Sequence, residues 1–307
     1  MIKNAIIYTF AIDPSLSVTD IDTRLSNAQF VPCGPTQQVS MGWTSPRGLA
    51  HSSMIDVVAG QWVLRLTVEV RKVPGAAVKK RVQELTEKVE DETGRKPGKK
   101  LVKELKEQAT LELLPQAFTR QASHIVWIDR EAKTLVVDAG STSKADDVAI
   151  ALVKSLDGLI TVQALQTAEA PAACMAAWLK DGEAPACFTV DRECELKSKD
   201  EMKSVVRYGR HRLDTEEVRQ HILTGKTPTK LAMTWRDRAS FVLTESLSIK
   251  KLTLLDVVME AHKASSPAAK DEAFDADVAI MTGELQPLIA DLVDALGGAH
   301  KEGGVNP

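Results

Sequence analysis

A chain of 307 residues that is 44% hydrophobic and 26% charged has the composition of a globular protein with a real core, filled mainly by Leu, Val, Ile and Ala because aromatics make up only 4%. No apolar run approaches the ~20 residues that cross a bilayer, and Cys33, Cys174, Cys187 and Cys194 form no CxxC pair and are too sparse for a disulfide framework; this excludes a membrane span and a disulfide scaffold and points to the reducing cytoplasm. The net charge of −3, read as a bulk number, argues against a nucleic-acid binder, so that class depends on how the charge is distributed.

Residues 2–10 read as a first strand rather than a signal peptide, having one Lys, a short apolar stretch and no small-residue cleavage site. Ser17–Ala28 reads as a helix with Val18, Ile21, Leu25 and Ala28 along one side, and Val31–Gly48, rich in Pro and Gly, as a loop. Met54–Val58 and Trp62–Val70 form a predicted hairpin across Ala59-Gly60-Gln61. In its second strand Trp62, Leu64, Leu66, Val68 and Val70 alternate with Val63, Arg65, Thr67, Glu69 and Arg71, which predicts one core face and one mostly polar face.

The period then changes. Val78, Val82, Leu85 and Val89 make one helical stripe, Gly94-Arg95-Lys96-Pro97-Gly98 breaks it, and Leu101, Val102, Leu105, Ala109 and Leu113 begin a second. Two helices joined by a short turn form a helical hairpin, an arm of about 25 Å at ~1.5 Å per residue. After Pro115 come strands His124–Ile128 and Thr134–Val137, a helix from Lys144 to Leu156, and a strand near Leu159–Val162. Thr167–Ala173 reads as a linker. Beyond it lie a short helix around Ala176, strands in Phe188–Val190 and Val205–Tyr208, and a helix from Thr215 to Leu223. Thr229–Trp235, Ser240–Leu243 and Ser248–Leu254 follow as an antiparallel meander. The final helix carries Val278, Met281, Leu285, Leu288, Leu292 and Leu296 on one stripe and ends at Gly297-Gly298; Pro287 inside it predicts a kink, or a fresh start with Thr282 as N-cap. The expected fold is therefore α+β, with mixed or antiparallel sheet lobes and a projecting helical hairpin. Its parts are a first lobe from 1–74 and 115–165, the arm at 75–114, and a second lobe at 166–307.

Catalytic motifs are sought and not found. Gly225-Lys226-Thr227 resembles the end of a phosphate-binding loop, but Gln220 stands where the motif needs Gly, and the segment leads into a strand. In Gly94–Lys100 the position of the magnesium-holding hydroxyl is Lys100. The six histidines show no HxxxH or HExxH spacing, no zinc-ligand spacing to the cysteines exists, and no GxSxG elbow occurs. Asp129 and Asp138 flank a hairpin as solvated strand-end carboxylates do. No cofactor, no metal and no enzymatic activity are expected.

Charge, in contrast, is segregated. Arg71–Glu107 holds twelve Lys/Arg against seven Asp/Glu, whereas Thr253–Pro307 holds ten acids against Lys263, Lys270 and Lys301. Lys79 and Lys80 lie on the first arm helix, and Arg95, Lys96, Lys99 and Lys100 cluster around its turn with no acid among them. A second basic stretch carries Lys203, Arg207, Arg210, His211 and Arg212. Basic residues on a helix are commonly its solvated face, but two separated basic surfaces suit a partner with regularly spaced phosphates. No helix-turn-helix, zinc finger or RNA-binding aromatic motif is visible, which leaves backbone contact without sequence reading.

The chain resembles the bacterial recombination-associated protein RdgC family over nearly its whole length. The stretches that carry the resemblance are Phe30-Val31-Pro32-Cys33-Gly34 with Met41-Gly42-Trp43, Leu113–Arg120, Trp127-Ile128-Asp129, Thr229–Ala232 with Trp235, and Phe274–Asp277 with Met281–Leu285, in that order. The resemblance implies a ring-shaped homodimer, associated with the nucleoid, whose basic central hole passes double-stranded DNA. It also implies restraint of the recombinase RecA through competition for DNA and a role in replication-fork repair. Gln116 and Phe118 match the protomer contact, while Arg95 and the Arg210–His211 pair match positions tied to DNA binding or ring closure. Phe118 has a second reading, as a core aromatic at the base of the arm. The acidic C-terminal segment is expected to face away from DNA. The rival function is a protein-interaction module whose arm binds a recombination partner, DNA contact being secondary.

Overall fold

The computed structural model describes residues 2–265 and 270–300. Its first half runs β1 (Ala5–Ile12), α1 (Val18–Asn27), β2 (Val39–Thr44), β3 (Ile55–Val58), β4 (Gln61–Arg71), α2 (Gly75–Thr93), α3 (Lys99–Leu113), β5 (Thr119–Asp129), β6 (Thr134–Asp138), α4 (Thr142–Ser155) and β7 (Ile160–Ala164). The second half runs α5 (Pro171–Asp181), β8 (Phe188–Ser198), β9 (Val205–Gly209), α6 (Glu216–Leu223), β10 (Lys226–Trp235), β11 (Ala239–Thr244), β12 (Ser248–Leu254), α7 (Asp256–Ser265) and α8 (Lys270–Ala295). The α+β expectation holds, as one large antiparallel sheet with eight helices among the described residues.

The sheet order is β2-β4-β5-β6-β1-β12-β11-β10-β8-β9, with β3 also on β4 and β7 also on β1. The two halves meet where β1 pairs with β12, Ala5 opposite Ile249 and Ile6 opposite Ser248. Alternation along β1 serves two cores. Ile6, Tyr8 and Phe10 pack with Leu64, Leu66, Leu135 and Val137 beneath Ile21 and Leu25 of α1 and Val148 and Leu152 of α4. Ala5 and Ile7 join Ile249, Leu243, Met233 and Leu231 in a core with Met175 and Leu179 of α5, Val218 of α6 and Leu285, Leu288 and Leu292 of α8. Burying such aliphatic side chains stabilises the fold by roughly 1.5–3 kcal/mol apiece.

The structure corrects several expectations. The Val31–Gly48 loop contains β2, paired with β4 from Val39↔Val70 to Thr44↔Arg65. The mostly polar second face of β4 is itself largely covered, with Val63, Thr67 and Glu69 buried. Part of the cover is α8, whose Phe274, Val278 and Met281 line a cleft with Val63, Arg65 and Trp127. Arg47 fastens α8 there, pairing with Asp56 at 2.8 Å and with Asp275, its guanidinium 4.8 Å from the Phe274 ring. The Thr167–Ala173 linker ends early, because Pro171 sits in the first turn of α5, where its missing N–H costs nothing. The β8 strand is eleven residues long rather than three. Thr282 is no N-cap: α8 runs on through Pro287, and the Thr282 hydroxyl donates back to the Val278 carbonyl at 2.9 Å. Part of the acidic segment, 266–269 and 301–307, lies outside the described residues.

Candidate nucleic-acid interface

The arm is α2 packed on α3 around a small core of its own, with Val78, Leu85, Leu105, Ala109 and Leu114 buried. Its turn closes on Gly94 in the left-handed region (φ 68°), whose N–H returns to the Glu90 carbonyl at 2.7 Å; glycine adopts this conformation without a Cβ penalty. Arg95, Lys96, Lys99 and Lys100 surround this turn, all exposed, and none belongs to an ion pair formed among the described residues. Lys99 and Lys100 occupy the first turn of α3, which has no acid. The positive end of the helix dipole disfavours cations there, so folding stability does not account for the placement, whereas an anion is attracted by the backbone N–H groups and the side chains together.

Lys79 and Lys80 are also exposed, but near the start of α2. Thirteen residues at ~1.5 Å each put them about 20 Å from the tip, with Glu84, Glu87, Glu90, Asp91 and Glu92 between. Arg81 is committed within the arm, bonded to Glu112 at 2.8 Å and to Glu84 at 3.0 Å.

The second basic stretch lies at the other border of the sheet, on and around β9, its terminal strand. Seven inter-strand spacings of ~4.8 Å separate β9 from β5, on the order of 30 Å along the sheet. Here the positive charge is partly engaged. Arg207 donates to Glu195 at 2.6 Å, and Arg212 grips Asp214 through two bonds of 3.0 and 2.6 Å. Lys203 (φ 47°) and Arg210 (φ 57°) sit in turns, exposed. His211 packs its ring 5.3 Å from that of Tyr208, and its Nδ1 lies 2.5 Å from the Arg212 carbonyl.

Glu195 is the hub of this surface. The Arg207 hydrogen bond, followed by those from Thr229 and Lys230, holds its carboxyl at about 2. Sequence reading missed Lys230, Lys250 and Lys251, which line one groove with Glu193, Glu195, Arg207 and Tyr208. Lys250 donates to the Ala139 carbonyl at 3.1 Å, and burial pulls its pKa down against the opposing pull of Asp138. Each of these lysines looks ordinary in the sequence; only the cross-strand register of β8, β10 and β12 gathers them.

The third feature is Phe118. The chain leaves α3 through a 3-10 turn, Leu114–Gln116, with Leu114 buried and Gln116 exposed. Phe118 follows just before β5 and is 95% exposed, which overturns its reading as a core residue. Val39 and Val70, opposite each other on β2 and β4, and Met41 are exposed in the same part of the sheet.

Among the described residues, no group of three or more His, Cys, Asp or Glu side chains is placed to hold a metal ion, and no helix is long and apolar enough to cross a membrane. The cysteines are free thiols, three buried and Cys187 exposed.

The profile of the family described as "Putative exonuclease, RdgC" matches residues 1–299. The chain belongs to the RdgC family. The Recombination-associated protein RdgC of Dechloromonas aromatica is 44% identical over 299 residues, covering 96% of this chain and 97% of that protein. Proteins of the same name from Cupriavidus necator and Herminiimonas arsenicoxydans are 42% and 43% identical, covering 97% and 96% of this chain and 99% and 97% of the relatives. The RdgC relatives are thus named for recombination alone, while the family description adds an exonuclease.

Proposed function

We propose that this RdgC-family chain binds double-stranded DNA without reading its sequence, as a closed, ring-shaped homodimer associated with the nucleoid. By occupying duplex DNA it restrains RecA and acts in recombination and fork repair. The observation that carries the reading is the arm tip: four exposed cations without acid partners, two of them on the N-terminal turn of a helix. Phosphate is the anion such a surface suits, and each phosphate neutralised releases counterions, so affinity follows salt steeply. Arg210, Lys203 and the ion-paired Arg207 and Arg212 supply the second contact, and Gln116 and Phe118 one of the protomer contacts.

The test is the affinity for two unrelated duplexes across a salt series, for wild type and for a variant with Arg95, Lys96, Lys99 and Lys100 all changed to Ala. The expected result is similar affinity for both duplexes, with the variant weaker at every salt concentration and its log–log slope reduced by up to about 7, since the four cations count twice in a dimer. A flat slope in wild type supports the rival reading, in which the arm grips a protein through Leu101, Val102 and Leu111, all exposed. Incubation with magnesium in the same samples addresses the exonuclease in the family description: this reading expects intact DNA, and progressive shortening from the ends overturns the non-enzymatic assignment.

A further inference from the structure

We infer that Arg71 and Glu69 are positioning residues that hold Phe118 ready for its partner, a second copy of this chain; the inference rests on the protomer-contact reading above. A wholly exposed aromatic on a mobile connector loses conformational freedom when it docks, and that loss weakens binding. Phe118 stands between a helix and a strand, where such mobility is expected, yet the backbone is gripped on both sides of it.

On the N-terminal side one guanidinium does the work. Arg71 donates through Nη1 to the carbonyls of Pro115 and Ala117, both at 3.2 Å, and through Nη2 to the Cys33 carbonyl at 3.3 Å. On the C-terminal side Thr119 lies opposite Arg71 and Arg120 opposite Val70 in the β4–β5 ladder. Gln121 donates to Glu69 Oε1 at 3.1 Å, and the other Glu69 oxygen accepts the Cys33 N–H. Glu69 is 4% exposed, and no ion pair formed among the described residues includes it. The Cys33 N–H, Gln121 and the Thr119 side chain satisfy this buried carboxylate and hold its pKa below the ordinary value against the cost of burial. Arg71 and Glu69, two apart on one strand, thereby hold the carbonyl and the N–H of Cys33 respectively, and both flanks of Phe118. A rigid fork that reaches three carbonyls at once is a property of arginine that lysine lacks.

The experiment is a double-mutant cycle on self-association of the full chain, followed by sedimentation, with folding checked by circular dichroism. Phe118→Ala is expected to weaken association at least 30-fold, as an interface anchor does. Arg71→Met is expected to weaken it about 10-fold in the wild-type background and less than 2-fold in the Phe118→Ala background. Arg71→Lys should recover only part of the loss. If Arg71→Met does not fold, Arg71→Lys and Glu69→Gln take its place in the cycle, each with an expected loss of about 3-fold that vanishes without Phe118.

Unchanged association in Phe118→Ala overturns the protomer-contact reading itself. A strong Phe118→Ala effect with folded Arg71 and Glu69 variants that associate like wild type overturns only the positioning inference. So does a loss of equal size in both backgrounds, which is the mark of a purely structural role.

Discussion

At the scale of single residues, the charge that matters for a polyanion is the charge left over after internal pairing. Arg95 and its neighbours keep theirs, while Arg207 and Lys230 are held by Glu195. The Glu195 carboxyl lies at about 2 instead of the ordinary 4.5, so its ion pairs stabilise the folded state above pH 4.5 and that contribution fades as pH falls from there toward 2. Between pH 5 and 8 Glu195 stays ionised and its ion pairs are intact. Glu195→Gln releases both cations, and duplex binding at pH 7 is expected to tighten about 2–5-fold with a steeper salt slope. Unchanged affinity and slope would remove Arg207 and Lys230 from the DNA surface. Gly42 makes a residue-scale point of another kind: a Cβ there would lie 2.4 Å from the Phe30 Cα, so only glycine admits the close approach in which Phe30 N–H reaches the Trp43 carbonyl at 2.9 Å.

At the scale of elements, what could be read in the sequence depended on whether a local period survived. α1 was legible because its apolar stripe begins behind a capping box of Ser17 and Asp20. The arm was legible from two 3.6-residue stripes around a Gly-Pro break. β8 was not, because Glu193, Glu195 and Lys197 give it a charged look, and the ladder to β10 shifts register at Pro228/Lys230 and at Leu231/Met233, which disrupts the period of two. β2 was masked by its Gly42 and by Pro32, Pro35 and Pro46 on either side of it, and the burial of the polar second face of β4 was hidden because nothing local announces that α8 covers it. The candidate site divides the same way: the arm tip is contiguous in sequence, whereas Lys230, Lys250 and the exposed Phe118 depend on tertiary context. The arm's small separate core also makes it a weak unit. Leu105→Ala should cost about 2–5 kcal/mol locally, accelerating amide exchange in α2 and α3 while that of β4 and β5 stays protected. Its duplex affinity should fall toward that of the four-alanine tip variant. Equal acceleration throughout the sheet would show that the arm is not a separate unit.

At the scale of the molecule, one antiparallel sheet roots the arm at β4 and β5 and carries the second basic surface on its terminal strand β9, on the order of 30 Å from β5 along the sheet, with the basic tip at the far end of the arm. Phe118 lies on the arm side, close to β2 and β4, so the proposed two-fold contact there would bury an aromatic and exposed valines without covering the tip. The proposed closed dimer would surround the duplex, so its hold would depend on the topology of the DNA as well as on phosphate contacts. The most direct test is retention on a nicked circle and on a linear duplex of the same sequence after binding at low salt and washing at high salt. The account predicts that protein stays on the circle and leaves the linear molecule by its ends, and that Phe118→Ala abolishes the difference. Equal loss from both substrates by the wild-type protein would contradict encirclement.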